Sequence, residues 1–490
     1  MMTEKETSLE QIQNFKGVYP KQLWSLFFSE MWERFCFYGM RGMLIIFMTT
    51  QLAMQAKEAN LQYGATQSFV YAFTFIGGLF ADKILGFRKS LFWGGLLMIV
   101  GSIILTISPK ELFFLGIAFT VVGTGFFKPN ISTMVGELYR QGDSRRDAGF
   151  SLFYAGINIG ALLGGYACIA IAQSYSWNLA FGLAAIVMTI SLITFLYTQK
   201  SMGSIGLSPI NSKNSFQIAT YVGSLLAVPV IMKMVSTPSL TDIFMMLIGP
   251  AALLYLIYEM RTCTKSEVSK LIAAMIFILF SVLFWAIFEQ AGGSLSLFAD
   301  NHLSKSLLGI SMNPAGVNNS ANAFFVIVFA AIFGLIWVWL SKRNAEPNTV
   351  VKFGIGFIFL GAAYYMFGML RNLADANAIA PLGFFTLAYF VITLGELSIS
   401  PIGLSIMTKL APQRLGGMMM GMWFLASAYG QYVAGIFGAA ITNPDANASN
   451  MDKLISYTKG YTNMSTYAFV AGVILILISP LIKKLMQEVK

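Results

Sequence analysis

The first long apolar stretch of the chain, residues 27–48, reads FFSEMWERFCFYGMRGMLIIFM and contains Glu30, Glu33, Arg34 and Arg41. Their spacing of i, i+3, i+4 and i+11 places these four charges on one face of a single helix. A charge near the centre of a bilayer costs roughly 2.5–3.5 kcal/mol on insertion scales. The charged face must therefore turn toward a cavity or toward partner helices. Acids and bases on such a face indicate proton transfer or a charged ligand.

Three further charged residues lie in apolar segments farther along the chain. Lys128 lies in GTGFFKPNIS, where Pro129 removes a backbone hydrogen bond, and Glu289 and Glu396 lie in FWAIFEQAGG and LGELSISPIG. The first half of the chain thus supplies all the buried basic residues, and the second half supplies only carboxylates. Pairs such as Arg41–Glu289 and Lys128–Glu396 are candidates to form between the halves and to break as a carrier moves.

A simpler interpretation is that these charges only hold helices together as ion pairs. Buried ion pairs are poor stabilisers compared with apolar replacements, so this interpretation is weak for the whole set, although it stays open for any one member. The aromatic residues have a stronger structural explanation, in packing or in the membrane-interface belt. Those considered are Trp32, Phe37, Tyr38, Tyr71, Trp285 and Trp423.

The sequence offers no set of residues for enzymatic catalysis or metal binding. His302 is the only histidine and falls in the outer loop DNHLSKS, and the cysteines Cys36, Cys168 and Cys263 are too far apart to form a CxxC pair. No Ser–His–Asp set or phosphate-binding loop can be assembled, so we expect neither enzymatic activity nor a cofactor or metal. Any proton coupling would have to use the buried glutamates.

The composition is that of an integral membrane protein. Of 490 residues, 56% are hydrophobic and 11% are charged, against about 25% charged in soluble domains. Apolar runs of spanning length predict helices and exclude the shorter, alternating strands of a barrel. The net charge of +10 comes from basic residues scattered among loops. They form no continuous basic stripe, so we expect a lipid bilayer and no nucleic acid as partner.

The pattern predicts an all-α polytopic protein with fourteen transmembrane helices. They are expected at about 24–50, 65–81, 90–108, 112–134, 149–172, 177–198, 215–235, 240–259, 270–298, 321–341, 351–370, 382–409, 417–441 and 464–486. The excess of Lys and Arg in alternate loops places both termini in the cytoplasm of a plasma (inner) membrane protein. The polar N-terminus carries no cleavable signal, so the first helix directs insertion.

Six predicted helices precede residue 200, six follow residue 269, and two lie between. We therefore expect two six-helix bundles with an inserted two-helix hairpin, a plan typical of alternating-access carriers. The predicted domains are a cytoplasmic N-terminal segment (1–23), an N-terminal bundle (24–200), a linker with the hairpin (201–269), a C-terminal bundle (270–486) and a cytoplasmic tail (487–490).

The segment GGLFADKILGFRKS, residues 77–90, resembles a cytoplasmic signature of the major facilitator superfamily, G-x-x-x-D-[RK]-x-x-G-x-[RK]-[RK]. Its acid and its basic residues can hold neighbouring helix ends together. The loop YRQGDSRRD, residues 139–147, is either the partner of this segment or a topology signal, and both interpretations stay open.

Five motifs in order resemble the proton-dependent oligopeptide transporter (POT/PTR) family. EMWERFCFYG (30–39) is similar to its E-x-x-E-R-F-x-Y-Y signature, and GTGFFKPNIS (123–132) and FYAGINIGALLG (153–164) resemble two further signatures. FWAIFEQ and GELSISPIGLSIMTKLAP complete a likeness that runs from about residue 20 to 486. The resemblance implies the major facilitator fold and the import of di- and tripeptides together with protons.

Carried over to this sequence, the resemblance implies roles for named residues. Proton coupling would use Glu30, Glu33, Arg34, Lys128 and Glu289. Substrate binding would use Tyr38, Arg41, Tyr71, Lys128, Asn158, Trp285, Glu289, Asn322, Glu396, Ser400 and Trp423. Within that set, Arg41 and Lys128 would attract the peptide carboxylate, and Glu396 would hold the amino terminus. Arg41 would pair with Glu289 when the outer gate closes.

Three departures from the family pattern leave peptide length and side-chain preference open. Phe37 replaces the first Tyr of the signature, VNNSANAFF (317–325) stands where W-F-Q-x-x-N-P-L-F is common, and Phe288 stands where some members have Glu. The alternatives are a relative that carries another small solute such as nitrate or a drug, a polytopic membrane enzyme, and a channel. The intact E-x-x-E-R motif argues against another cargo, and the single outer-loop histidine argues against an enzyme. The opposite buried charges of the two halves argue against a channel. We expect a functional monomer.

Overall fold

The computed structural model describes residues 9–140, 142–209, 212–442, 445 and 447–489. The side chains of 400–402, 404–405, 408 and 413 are not among those described. The α-helices of this part of the chain are α1 (Leu9–Gln13), α2 (Lys21–Thr50), α3 (Ala56–Phe80), α4 (Phe87–Ile107), α5 (Phe113–Glu137), α6 (Arg146–Ser174), α7 (Trp177–Thr198), α8 (Asn214–Ser236), α9 (Pro238–Met260), α10 (Lys265–Phe288), α11 (Ser294–His302), α12 (Pro314–Lys342), α13 (Thr349–Leu373), α14 (Leu382–Leu410), α15 (Gly416–Ile441) and α16 (Asn450–Met486).

The predicted all-α membrane architecture is confirmed. Among the described residues, thirteen helices are long and apolar enough to cross a membrane. Helix α2, which contains the charged face, is 30 residues long and is not one of these thirteen. The strands of the described part are β1 (Ser306–Leu307) and β2 (Ile310–Ser311), which pair antiparallel as a small hairpin.

Two helices begin well before their predicted starts because their first turns are polar. Helix α3 begins at Ala56 and not near 65, and α16 begins at Asn450 and not near 464. Lys57, Glu58 and Asp452 of the first turns are exposed. Farther along the added segments polar side chains face protein: Asn60 is 1% exposed and Thr458 is fully buried. A hydropathy pattern detects helices that face lipid and misses helical turns whose polar residues pack inside the protein.

The span predicted as one helix over 270–298 is interrupted. Helix α10 ends at Phe288, a 3₁₀ turn covers Glu289–Gly292, and α11 begins at Ser294. Side chains bond to the carbonyls around this break: the Tyr364 hydroxyl donates to Ile287 (2.5 Å) and Asn318 Nδ2 to Ala291 (2.8 Å). The Ala-Gly-Gly sequence at 291–293 therefore lies in a break between two helices, where the sequence predicted one continuous helix.

The chain forms two compact units. Unit 1 comprises residues 1–43 and 69–236, and unit 2 comprises 44–68 and 237–490. In unit 1, α8 contacts α4 through a hydrogen bond from Trp93 Nε1 to Ser224 Oγ (2.9 Å). In unit 2, α9 contacts α15 through the Tyr432 hydroxyl, which donates to Asp242 Oδ1 (2.6 Å).

The two helices of the predicted hairpin therefore pack in different units. The domain boundaries given above stay a prediction.

The 77–90 segment of unit 1 is tied to the chain that follows α7. The Arg88 backbone N–H donates to Gly206 O (2.9 Å), its guanidinium donates to Gly203 O (2.5 Å), and the Ser208 hydroxyl donates to Leu85 O (2.6 Å). The basic residue of this segment thus holds the linker after the sixth spanning helix against the start of α4.

The 139–147 loop contacts the N-terminal segment. Arg145 Nη1 donates to the carbonyls of Phe15 (3.1 Å) and Gly17 (3.0 Å), and its guanidinium lies 3.9 Å from the Phe15 ring centroid. Hydrogen bonds from Arg145 lower the pKa of Asp143 to about 2. A lowered pKa means that the Asp143 interaction is present above its ordinary value and is lost only as pH falls through about 2. This anchor therefore persists at every pH that a cell meets.

Arg145→Ala should release residues 9–17 from the loop. We expect trypsin to cleave solubilised protein after the exposed Lys16 severalfold faster than in the wild type, measured by mass spectrometry. Arg146→Ala is the matched control, because the Arg146 guanidinium lies 5.5 Å from the ring centroid of Phe150 and not against the N-terminal segment. Equal cleavage of both variants would show that Arg145 is not the anchor.

Candidate functional site

Unit 1 contains a buried cluster of charged side chains on α2. Glu30, Glu33 and Arg34 are 2%, 0% and 1% exposed. Arg34 Nε lies 2.9 Å from Glu30 Oε1 and 2.6 Å from Glu33 Oε2, so one guanidinium faces two carboxylates. Both approaches of Nε are ion-pair contacts without hydrogen-bond alignment.

This cluster is not fully hydrogen-bonded. Glu30 Oε2, Glu33 Oε1 and Arg34 Nη2 are buried and have no hydrogen-bond partner among the described residues. Leaving a buried polar group unsatisfied costs about 1–3 kcal/mol, and more for charged groups. A proton on either carboxylate would provide a donor where the arrangement lacks one, so the site is chemically suited to gain and lose a proton.

Lys128 of α5 completes the cluster. Its Nζ lies 4.5 Å from the ring centroid of Tyr71 on α3 and 5.7 Å from that of Phe37 on α2. Arg34 Cζ lies 5.5 Å from the same Phe37 ring. Lys128 also interacts electrostatically with both glutamates. The ring of Phe37, which departs from the family signature, therefore lies close to both Arg34 and Lys128. Phenylalanine has no hydroxyl that could accept a hydrogen bond from either cation.

Glycines of α5 allow Lys128 to reach this position. A Cβ on Gly123 would lie 2.7 Å from the carbonyl oxygen of Gly94 on α4, and a Cβ on Gly125 would lie 2.7 Å from that of Phe73 on α3. Only glycine permits backbones to approach so closely. The G-T-G of the GTGFFKPNIS motif thus fits α5 against α3 and α4, one turn before Lys128.

A second glycine stripe, on α6, fixes the charged helix itself. A Cβ on Gly156 would lie 2.8 Å from the Phe27 ring, and Cβ atoms on Gly160 and Gly164 would collide with the carbonyl oxygens of Met31 and Phe35. These glycines recur every fourth residue, the small-residue pattern of close helix crossings in membranes. Sequence reasoning used the FYAGINIGALLG motif only as a family signature and missed this packing role, although its G-x-x-x-G-x-x-x-G spacing was visible.

Other predicted site residues of unit 1 lie on the same helices. The Arg41 guanidinium lies 5.7 Å from the Tyr38 ring centroid, one turn apart on α2. Asn158 is buried on α6 and donates to the carbonyl of Tyr154 (2.9 Å) within its own helix.

In unit 2, Glu396 of α14 is held by α12. Asn322 Nδ2 donates to Glu396 Oε2 (2.7 Å) and approaches Thr393 Oγ1 (3.2 Å). Close crossing of α13 and α14 fixes the position, since a Cβ on Gly395 would lie 2.8 Å from the carbonyl oxygen of Gly356. The structure thus brings together two predicted binding residues, the acid and its amide donor.

The remaining predicted residues of unit 2 lie on α10, α14 and α15. Glu289 is 3% exposed in the turn after α10, and Trp285 is half-buried with its Cβ against Gly430. The Trp423 indole packs against Gly403 and is 8% exposed. The side chain of Ser400 lies outside the described residues.

The 317–325 segment, which departs from the family pattern, stabilises the break after α10. Asn318 donates to the Ala291 carbonyl (2.8 Å) and accepts from the Tyr389 hydroxyl (2.6 Å). The Asn318 amide therefore bonds to other parts of the protein scaffold. In the same segment, Asn322 is the residue whose amide bonds to a predicted binding residue, Glu396.

The predicted gating pairs join residues of different units. Arg41 and Lys128 belong to unit 1, and Glu289 and Glu396 belong to unit 2. The Arg41–Glu289 and Lys128–Glu396 pairs stay predictions. Over the described ranges, no three His, Cys, Asp or Glu side chains are grouped to hold a metal ion.

Comparison with known proteins gives consistent matches. The model of the POT family matches residues 88–454. The chain is 34% identical over 488 residues to the Uncharacterized transporter YclF of Bacillus subtilis and 32% identical over 499 residues to the Peptide transporter YePEPT of Yersinia enterocolitica, with 96% of each chain covered. A crystal structure of a mutant peptide transporter POT in complex with sulfate superposes with a TM-score of 0.85 at 32% identity, covering 98% of this chain and 99% of that one. The predicted major facilitator fold is thereby confirmed.

Gly160→Ala should separate α2 from α6. The added methyl would collide with the Met31 carbonyl and lie 2.9 Å from Arg34 Cβ. Overpacking costs about 1–3 kcal/mol, against a gain of roughly 0.5–1 kcal/mol from replacing a helical glycine. We expect a lower apparent Tm in detergent. Gly223→Ala, with nothing within 4 Å, is the control and should keep or raise it. Equal Tm values for both variants would contradict the packing role.

Proposed function

Because the chain belongs to the POT family, we propose that it is a proton-coupled symporter that imports di- and tripeptides by alternating access. The observation that carries the proposal is the buried Glu30–Glu33–Arg34 cluster beside Lys128, with carboxylate oxygens that lack hydrogen-bond donors. The peptide class is supported by the full-length similarity to a peptide transporter and by the intact E-x-x-E-R motif.

Charge balance couples the proton to the peptide. When all four groups are ionised, the two carboxylates of Glu30 and Glu33 are offset by Arg34 and Lys128. A peptide carboxylate that binds Lys128 competes for that cation and leaves the acids with an excess negative charge in a medium of low dielectric. A proton on Glu30 or Glu33 restores neutrality. Peptide and proton therefore bind together, and the loss of either one on the opposite side of the membrane weakens the binding of the other.

The peptide is held at its two constant ends. Arg41 and Lys128 attract its carboxylate, and Glu396 accepts its amino terminus. Asn322 donates to Glu396 Oε2 at 2.7 Å and so fixes the orientation in which the acid is presented. The aromatic and polar residues assigned to the walls and rims of the site are Tyr38, Tyr71, Asn158, Trp285, Ser400 and Trp423. Such walls tolerate varied side chains, whereas the separation of the charged clamps selects length.

Gating follows from the same charges. Glu289 pairs with Arg41 when the outer gate closes, and Lys128 and Glu396 exchange partners as the substrate leaves. The protein is a multi-pass membrane protein, and we place it in the plasma (inner) membrane with both termini cytoplasmic. It acts as a monomer, because a single chain supplies both clamps and the proton-binding acids.

The direct test is uptake of labelled dialanine by purified protein in proteoliposomes, with and without an inward proton gradient. We expect accumulation only with the gradient, and competition by unlabelled trialanine. Nitrate is tested as a competitor in the same assay. Absence of dialanine uptake by protein that is shown to be folded would assign the chain a different cargo.

Glu33→Gln should abolish gradient-driven accumulation while the protein still inserts and folds. The amide preserves the shape of the side chain and cannot exchange a proton. Exchange of labelled for unlabelled dialanine without a gradient should continue, because it needs no net proton movement. Full accumulation by Glu33→Gln would remove this residue from the coupling site.

Glu396→Gln should weaken dialanine binding by roughly tenfold or more, since a hydrogen bond to a charged group contributes about 1.5–3 kcal/mol. Asn322→Ala should weaken it less, because the carboxylate remains but loses its orientation. Binding is measured by ligand-induced thermal stabilisation. Unchanged affinity in Glu396→Gln would exclude this residue from the amino-terminal clamp.

A further inference from the structure

Helix α3 is shared between the two units. Its residues up to Ser68 belong to unit 2, together with the last turns of α2, and the remainder belongs to unit 1. In the predicted topology the first part of α3 lies on the outer side of the membrane. This first part of α3 packs with α15 and with the break between α10 and α11. The sequence, in contrast, predicts it in the N-terminal bundle.

Backbones of α3 and α15 touch where both have glycine. A Cβ on Gly64 would lie 2.7 Å from Gly435 Cα and 3.0 Å from the Gln431 carbonyl oxygen. A Cβ on Gly435 would lie 2.8 Å from the Asn60 carbonyl oxygen. No side chain separates the two helices here, so the contact is as close as helices in membranes achieve.

The same contact contains amide oxygens that the protein does not satisfy. Asn60 is 1% exposed, and its Oδ1 accepts no hydrogen bond from any described residue while Nδ2 donates within α3. The neighbouring Gln290 uses both of its N–H donors on the carbonyls of Ala286 and Ala434. Gln431 is 2% exposed, and its Oε1 is likewise buried with no donor in the described chain.

Unsatisfied buried acceptors cost about 1–3 kcal/mol each. Asn60 Oδ1 faces α15, because a Cβ on Gly438 would collide with it. Gln431 lies one turn before Gly435 on the same face of α15. We therefore expect separation of α3 from α15 to admit water to both oxygens and to recover that cost. Close packing of the glycines stabilises the closed arrangement, whereas the unsatisfied amide oxygens destabilise it. The two effects on the free energy of the closed arrangement therefore oppose each other.

We propose that Asn60 and Gly64 of α3 with Gln431 and Gly435 of α15 form a latch on the outer path, separate from the charge pairs of the binding site. The proposal rests on the alternating access proposed above. The glycines set how tightly the latch closes, and the amides Asn60 and Gln431 set how readily it opens. We assign neither pair a contact with peptide or proton, so the latch acts on the balance between the closed and open arrangements and not on recognition.

Two substitutions should shift the latch in opposite directions. Gly435→Ala pushes a methyl group against the Asn60 carbonyl and the Gly64 backbone, and should favour the open arrangement. Gln431→Met keeps the length of the side chain but removes the unsatisfied amide, and should favour the closed one. Gly334→Ala on α12, with nothing within 4 Å, is the control for a glycine replacement.

The readout is the distance distribution between spin labels at the outer ends of the two latch helices, at Lys57→Cys on α3 and Ala440→Cys on α15, both exposed positions. The full-length protein in liposomes is used, with its three natural cysteines replaced. We expect Gly435→Ala to raise the fraction of long distances severalfold and Gln431→Met to lower it, with Gly334→Ala unchanged.

A Gly435→Ala distribution equal to that of Gly334→Ala would overturn the latch. If Gly435→Ala does not fold, Gln431→Met decides: no loss of the long-distance fraction overturns the proposal. Dialanine uptake by the unsubstituted protein is measured separately. Opposite distance shifts in a protein that does not take up dialanine would support the latch and reject the proposed cargo.

Discussion

The burial of two carboxylates and a guanidinium on one membrane-spanning helix is the constraint on which the rest of the structure depends. Glu30, Glu33 and Arg34 are almost completely buried, and one cation faces two acids. In a medium of low dielectric such a set must be enclosed, nearly neutral and closely positioned. Lys128 supplies the missing positive charge, and neighbouring helices supply the enclosure. A ligand or proton that alters this balance therefore acts on the whole site.

Glycine contacts recur beside the charged residues. Gly160 meets the backbone of α2 next to Arg34, Gly125 meets α3 one turn before Lys128, and Gly395 meets α13 next to Glu396. Each contact removes side chains from a helix crossing, so the adjacent charged side chain is held by rigid backbone and not by flexible packing. A carrier whose helices must move as bodies benefits from such contacts, because they keep the proposed clamp residues fixed within each unit.

Hydropathy and charge spacing were sufficient to predict the all-α fold and the shared face of Glu30, Glu33 and Arg34. They failed at the polar N-terminal segments of α3 and α16, and where side chains stabilise a helix break after Phe288. The Asn322–Glu396 contact joins residues far apart in sequence, and only the fold brings their helices together. The unsatisfied oxygens could not be predicted either, because satisfaction depends on every neighbour in three dimensions.

The central claim is that peptide and proton enter together through one charge-balanced site. The most direct measurement loads proteoliposomes with a pH-sensitive dye, imposes no proton gradient and adds dialanine outside. We expect the lumen to acidify as dialanine enters, and protein-free liposomes to show neither effect. Entry of dialanine without acidification would contradict the central claim.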